Sequence, residues 1–207
     1  MLVSELVLAS QIESKSLLVV LHGLGDSMEG YRWLPELMNL PAVNYLLVNA
    51  PDPYFGGYAW YDFSGDVDAG VKRSRQMIFE LLEHWRQRGF PSEQTVLFGF
   101  SQGCLMAVEA GLRYAHTLAG LVGVSGYVHR PEELLRELAP GAREMPMLIT
   151  HGTGDPLIPF ESARGQFQEL IRQGLRIEWR EFAKAHTIDG ERELAVIRAF
   201  VAARLGG

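Results

Sequence analysis

The feature that most constrains the fold is a regular alternation of short apolar runs with amphipathic stretches along the chain. Largely uninterrupted apolar runs, each ending at a polar or glycine-containing segment, lie at residues 17–21, 45–48, 95–100, 118–124 and 147–150. Runs of this kind, about four to eight residues long, are typical of strands buried on both faces of a parallel sheet. Two further runs, 2–8 and 175–182, alternate apolar with polar residues. We therefore place these two nearer the sheet edges, the first as an antiparallel strand.

Helical spacing of apolar residues appears between these runs. It marks four helices, at 67–85, from Ser101 to 115, at 160–173 and at 194–205 with Asp189 as N-cap. Strand–helix alternation predicts an α/β fold with a mainly parallel central sheet and helices on both faces. We find no repeat and no linker, so we predict a single domain over residues 1–207. The elements use nearly the whole chain, which leaves no room for a cap domain, and we predict that the longest connection, 50–66, is a loop.

Charge and cysteine content exclude several classes of function. The chain has 19 Lys and Arg against 25 Asp and Glu, a net charge of −6, whereas phosphate contact requires concentrated basic residues. Its single cysteine, Cys104, excludes an internal disulfide and a cysteine-rich metal site. No apolar stretch approaches the roughly 18 residues of a membrane span, and Met1 to Ser10 lacks the basic region of a secretory signal. We expect no nucleic-acid partner, no stable membrane insertion and a cytoplasmic location.

The sharpest chemical signal is the segment Gly99-Phe100-Ser101-Gln102-Gly103. Between a predicted strand and a predicted helix, G-x-S-x-G is typical of a nucleophile elbow, in which the serine hydroxyl projects from a tight turn. The glycines remove side chains that would clash in that turn. Because a hydroxyl is a weak nucleophile near neutral pH, it requires a neighbouring base and a group that orients the base.

Asp155 and His186 are the best candidates for the acid and the base. They follow Ser101 in the chain order serine, acid, histidine that this kind of fold uses, and the three residues follow three different predicted strands. An aspartate at this position, taken alone, is more often a turn or helix-capping residue than a catalytic one. His22 and His151, each followed by glycine at a strand end, are interpreted as residues that organise loops.

An oxyanion hole needs two N–H donors that face the developing charge. We assign them to the backbone of Gln102, directly after the serine, and of Leu24 in the early strand-end loop 21–27. Gly23-Leu24-Gly25 also begins a dinucleotide-binding pattern, but Met28 stands where its third glycine is required.

Together these motifs resemble the carboxylesterase/phospholipase family of α/β-hydrolases, which includes acyl-protein thioesterases and small bacterial carboxylesterases. The resemblance covers nearly the whole chain and rests on segments 21–27, 60–62, 99–103, 125–127 and 151–159, and on His186. It implies an α/β-hydrolase fold and a serine carboxylic-ester hydrolase that works through an acyl-enzyme. In that enzyme Ser101, Asp155 and His186 form the triad.

The resemblance also implies oxyanion donors at Leu24 and Gln102, no cofactor and no metal. Two residues depart from the family pattern, Cys104 after the serine motif and Ala185 before the histidine. Neither departure removes a catalytic group. They put local loop shape and substrate preference in doubt.

The aromatic, glycine-rich segment 54–63 is the candidate substrate pocket. We predict that Trp60, Tyr58 and Phe55 line an open, shallow site for small to medium acyl esters, with the alternative that these rings cover the sheet edge. Leu24, Tyr31 and Trp33 are candidates for the opposite wall.

Several readings of the function stay open. The expected partner is a small-molecule ester or thioester substrate, and a lysophospholipase or an acyl-protein thioesterase (depalmitoylase) is the main alternative. A catalytically inactive hydrolase-fold binding module is the alternative of another class. A metal hydrolase built on His22, His151 and Asp155 would lack a compact ligand motif, and a homodimer is left open.

Overall fold

Strands and helices alternate along residues 1–206, the part of the chain that the computed structural model describes. The strands are β1 (Ser4–Val7), β2 (Ser16–Leu21), β3 (Val43–Val48), β4 (Asp52–Tyr54), β5 (Gly57–Ala59), β6 (Thr95–Phe100), β7 (Gly120–Val124), β8 (Met147–Gly152) and β9 (Ile177–Phe182). The helices are α1 (Leu34–Met38), α2 (Val67–Gln87), α3 (Gln102–Gly111), α4 (Pro131–Arg136), α5 (Phe160–Arg172) and α6 (Gly190–Leu205). Gly207, the last residue of the predicted domain, lies outside the described residues.

A seven-stranded sheet in the order β1-β3-β2-β6-β7-β8-β9 forms the centre of the fold. β1 pairs antiparallel with β3, and the other neighbours pair parallel. The α/β class and the mainly parallel sheet are therefore confirmed, with the two alternating strands at the edges. All the parallel strands end at the same side of the sheet, so the loops that follow them meet there.

The continuous apolar runs are explained by helices on both faces of the sheet. Along β2, Leu17, Val19 and Leu21 pack with apolar residues of α2, α3 and α5, whereas Leu18 and Val20 pack with those of α1 and α6. Strand side chains alternate between the two faces of a sheet. A strand covered on both faces therefore has no position that faces solvent, and most of its residues are apolar. Each large side chain buried in this way contributes about 1.5–3 kcal/mol to the free energy of unfolding.

Segment 50–66 differs from the predicted loop because it contains the hairpin of β4 and β5. Its two-residue turn is Phe55-Gly56, with positive φ angles of 42° and 90°. Turns of this kind are usually signalled by Asn-Gly or Asp-Gly, and a phenylalanine at the first position hid the pattern.

Two further differences concern helices. α1 and α4 are only five and six residues long, too short for helical periodicity to be visible in the sequence. α3 ends at Gly111 instead of 115, and the Leu112 carbonyl accepts the N–H of Ala139 at 2.9 Å. That tertiary hydrogen bond replaces continuation of the helix. Among the described residues, no helix combines the length and hydropathy needed to cross a bilayer.

Candidate active site

Ser101 lies in the sharp turn between β6 and α3, with φ 54° and ψ −116°. A Cβ on Gly99 would lie 2.1 Å from the Gly103 carbonyl oxygen, and a Cβ on Gly103 would lie 2.1 Å from the Leu21 carbonyl oxygen. Only glycine fits both positions. The Ser101 N–H donates to the Val124 carbonyl at 2.8 Å, which ties the strained turn to the neighbouring strand.

The structure brings Ser101, His186 and Asp155 into one hydrogen-bonded chain. His186 Nε2 lies 2.8 Å from Ser101 Oγ, and His186 Nδ1 lies 2.7 Å from Asp155 Oδ2. The three residues follow β6, β9 and β8, so each is placed by the end of a different parallel strand. In such an arrangement the imidazole can take the serine proton while the carboxylate fixes its tautomer.

Asp155 is held ionised by a set of donors. Its Oδ1 accepts the N–H groups of Leu157 and Ile158, each at 2.9 Å, in addition to the His186 contact at Oδ2. Burial acts to raise the pKa of Asp155, but the hydrogen bonds from Ile158, His186 and Leu157 outweigh it and lower the pKa below its ordinary value. The carboxylate therefore stays charged under mildly acidic conditions.

His151 supports the loop that carries Asp155. Its Nε2 lies 3.1 Å from the Ile158 carbonyl oxygen and 3.7 Å from Asp155 Oδ2, and its ring stacks on Trp179. The side chain is fully buried, and burial lowers the pKa of His151. The ring is therefore neutral and donates Nε2–H to Ile158, in line with the loop-organising interpretation.

The two residues predicted to supply the oxyanion donors lie at the same cavity. Leu24 and Gln102 line it together with Ser101 and His186. Within residues 1–206, neither backbone N–H donates a hydrogen bond to another protein group. Gln102 is also the first residue of α3, so its N–H lies at the positive end of the helix dipole.

The Gln102 side chain fixes the segment beside the turn. Its Oε1 accepts the Trp60 N–H at 2.7 Å, and its Nε2 donates to the Tyr61 carbonyl at 2.9 Å. Trp60 Nε1 in turn donates to the His22 carbonyl at 2.9 Å. The serine turn and the loop after β2 are thus joined through buried hydrogen bonds, a role that the sequence motif did not reveal.

The cavity at Ser101 has a volume of about 630 Å³, within the roughly 300–1,000 Å³ of small-molecule sites. Its walls beyond the triad and the oxyanion loops are mostly apolar, and they are Phe63, Phe100, Tyr127, Leu157, Ile158, Pro159, Ser162 and Gln166. The apolar residues 157–159 begin two positions after the predicted acid, Asp155, so their place in the sequence is a usable signal that they lie at the site. Gln166 lies on α5, and the sequence gave no signal that it would reach the cavity.

The prediction that Trp60, Tyr58 and Phe55 line the pocket needs correction, because the structure places none of them on this cavity. Trp60 is fully buried, and Tyr58 pairs through its backbone with Gly25 and Asp26. Phe55 stands 95% exposed at the tip of the hairpin. Of segment 54–63, Phe63 alone reaches the cavity. Of the three residues predicted for the opposite wall, Leu24 lines this cavity. Tyr31 and Trp33 line a neighbouring cavity instead.

The arrangement of His22 does not favour the metal alternative. Its Nδ1 lies 2.6 Å from the Gly23 carbonyl oxygen, and its Nε2 accepts the Ala50 N–H at 3.0 Å. Both ring nitrogens are therefore occupied by loop contacts. In the described part of the chain, no group of three or more His, Cys, Asp or Glu side chains is placed to hold a metal ion.

Comparisons with known proteins agree with this fold. The family model described as phospholipase/carboxylesterase matches residues 3–205. Acyl-protein thioesterase 1 of Schizosaccharomyces pombe is 27% identical over 210 residues, covering 94% of each chain. The crystal structure of esterase PE8 is 29% identical, with a TM-score of 0.88 and 99% of each chain covered. Acyl-protein thioesterase 2 of Zea mays, at 23% identity and a TM-score of 0.81 over 98% of this chain and 99% of that one, shares the fold.

Proposed function

The chain belongs to the phospholipase/carboxylesterase family, a family of ester hydrolases, and on that premise we propose that Ser101, His186 and Asp155 hydrolyse esters of small to medium apolar acyl groups. The observation that carries the proposal is the hydrogen-bonded chain from Ser101 through His186 to Asp155 at the wall of an apolar cavity.

The reaction has two halves. Ser101 Oγ attacks the ester carbonyl as His186 Nε2 takes its proton, and the Leu24 and Gln102 N–H groups stabilise the oxyanion. His186 then gives the proton to the leaving alkoxide, and an acyl-enzyme forms. Water, deprotonated by the same imidazole, attacks the acyl-enzyme and releases the carboxylic acid. The free Ser101 hydroxyl is then restored.

Ser101→Ala tests the assignment directly. We expect this variant to lose p-nitrophenyl ester hydrolysis and covalent labelling by a fluorophosphonate. Ser162→Ala is the matched control, because Ser162 lines the same cavity and lies outside the hydrogen-bonded chain of Ser101, His186 and Asp155. That variant should keep the labelling. Labelling that persists in Ser101→Ala would move the nucleophile elsewhere, and a wild-type protein that neither labels nor hydrolyses would favour the inactive binding module.

A thioesterase or lysophospholipase activity is the second candidate. It is favoured by the relatives named acyl-protein thioesterase and by the apolar walls of a cavity of about 630 Å³. Matched oxygen esters and thioesters from acetyl to dodecanoyl, with a lysophospholipid and an S-acyl peptide, would separate these activities. A kcat/KM that rises steadily to the longest chains would favour the second candidate over the first.

The domain organisation, the cellular location and the oligomeric state of the protein can each be tested. We propose that residues 1–207 act as one domain and that the protein is cytoplasmic, a location consistent with a single cysteine that is buried. Cell fractionation tests the location. Sedimentation at several protein concentrations decides between a monomer and a homodimer.

A further inference from the structure

A second cavity, of about 360 Å³, adjoins the one at Ser101. Asp26 and Phe100 line both cavities, so the two meet at these side chains. Thr187 and Ile188, directly after His186, form one side of the second cavity, and Tyr31, Trp33 and Leu37 form another. The reacting groups Ser101 and His186 line only the first cavity.

The chemistry of the proposed reaction assigns different directions to the two halves of an ester. The carbonyl oxygen points to the N–H groups of Leu24 and Gln102, and the leaving atom must face His186 Nε2 to receive its proton. The leaving group therefore departs on the histidine side. The apolar walls Leu157, Ile158 and Pro159 lie in the first cavity and suit an acyl chain.

The charged side chain that lines the two cavities is acidic. Among their lining residues in the described part of the chain, Asp26 is the acidic side chain and none is Lys or Arg. The Asp26 carboxylate is exposed, and its Oδ1 accepts the Ser27 N–H at 2.7 Å. The rings of Tyr31 and Trp33 stack with centroids 6.1 Å apart in the same cavity. A carboxylate beside aromatic rings attracts a cation and repels an anion.

We propose that this second cavity is the leaving-group subsite and that Asp26 makes it select cationic alcohols or thiols over anionic ones. The inference rests on the proposed ester hydrolysis and names the class of substrate that the site takes, which is an ester or thioester with an amine or quaternary ammonium in its leaving group.

Three thioesters that share the same acyl group and differ in the charge of the leaving group isolate the effect of that charge. We would compare S-acetylthiocholine, its uncharged carbon isostere and S-acetyl-mercaptopropionate, which all give the same acyl-enzyme. The expected order of kcat/KM is cationic, neutral, anionic, with about a 10-fold difference between the first and the last. Asp26→Asn keeps an acceptor for the Ser27 N–H and should reduce that ratio to near one. Raising the ionic strength should reduce it in the unmodified protein as well, an independent measurement that needs no variant.

A pair of bulky substitutions tests which cavity takes which half. Leu37 lies 48% exposed at the second cavity, and Leu157 lies 70% exposed at the first. Leu37→Trp should lower kcat/KM for bulky leaving groups several-fold while leaving the acyl-length profile unchanged. It should also leave the deacylation rate unchanged, because the leaving group has gone by then. Leu157→Trp should change the acyl-length profile and keep the order of leaving groups.

The outcomes separate this inference from the proposed function. If Ser101 labels and turns over but the cation-to-anion ratio is the same in Asp26→Asn and at all ionic strengths, the charge selection is wrong. If Leu37→Trp alters deacylation or the acyl-length profile, the second cavity holds the acyl group and the assignment is wrong. If Ser101 neither labels nor turns over, the proposed function fails, and the subsite fails with it.

Discussion

Asp155 has contacts that bear on two separate roles, one in catalysis and one in a turn. The structure shows contacts that fit each reading: Oδ1 caps the turn through Leu157 and Ile158, and Oδ2 lies against His186. The two oxygens of one carboxylate thus serve the loop and the proposed triad separately. Sequence order identified the second role, and the first explains why the residue also looked like a capping aspartate.

Asp155→Asn separates these roles. The amide oxygen can still accept from Leu157 and Ile158, but its NH₂ group would face His186 Nδ1 and favour the wrong tautomer. We expect kcat to fall roughly 10⁴-fold, as when a triad aspartate becomes asparagine in a serine protease. The midpoint of thermal unfolding should change little. A kcat within tenfold of the unmodified protein would mean that another group orients His186.

At the scale of elements, the contact between α3 and β2 decides whether the serine turn forms. Gly103 on α3 packs against the Leu21 carbonyl, with no space for a side chain. Gly103→Ala should therefore lower the free energy of unfolding by about 3 kcal/mol, since the helix must move away from the strand. Urea unfolding measures the change.

Gly165→Ala is the matched control for that substitution. Gly165 lies inside α5, and a Cβ there would meet nothing within 4 Å. Alanine should raise the free energy of unfolding by about 0.5–1 kcal/mol through helix propensity. Equal effects of the two substitutions, in sign and size, would contradict the steric account of the serine turn.

A buried ion pair joins the loop of His186 to α6. Lys184 Nζ lies 2.6 and 2.7 Å from the two carboxylate oxygens of Glu193, and both side chains are almost fully buried. Lys184→Met leaves Glu193 buried without its counter-charge, which should cost about 3–5 kcal/mol. Lys184→Met combined with Glu193→Met should cost clearly less. A double variant as unstable as the sum of the single ones would show that the pair is not coupled.

Sequence patterns predicted the elements that bury a full face and missed those that do not. Residues 17–21 and 95–100 read as strands because helices cover both sides of them. α1, α4 and the β4–β5 hairpin were missed because each is too short or uses an unusual turn residue. Positions of the triad were predictable from order along the strands. The cavity walls were predictable only in part, since Leu24 was expected there, whereas Gln166 and Tyr127 reach the cavity through the packing of distant segments.

At the scale of the whole molecule, two buried histidines set the response of stability to acid. Burial lowers the pKa of His22 and of His151 below 6.5 in the folded protein. Between 6.5 and those lower values, the unfolded chain binds protons that the folded one does not. Stability should therefore fall as pH decreases below about 6.5, by at most about 1.4 kcal/mol per pH unit for each histidine. Asp155, whose pKa is lowered, adds a further loss only in stronger acid.

His22→Gln tests this linkage. Glutamine does not titrate, so the free energy of unfolding should depend less on pH between 6.5 and 5 than in the unmodified protein. An unchanged slope in His22→Gln would mean that other groups dominate in this range.

The strand-end positions of the site have a consequence for how the folded population can be counted. Leu24, Ser101, Asp155 and His186 follow four different strands, β2, β6, β8 and β9, and they meet only when the strands β2-β6-β7-β8-β9 of the central sheet are paired. A partly assembled chain would carry the serine without its base. Covalent titration of Ser101 would then report the number of molecules in a sample whose β2-β6-β7-β8-β9 strands are assembled, so one chemical group measures the folding of five strands.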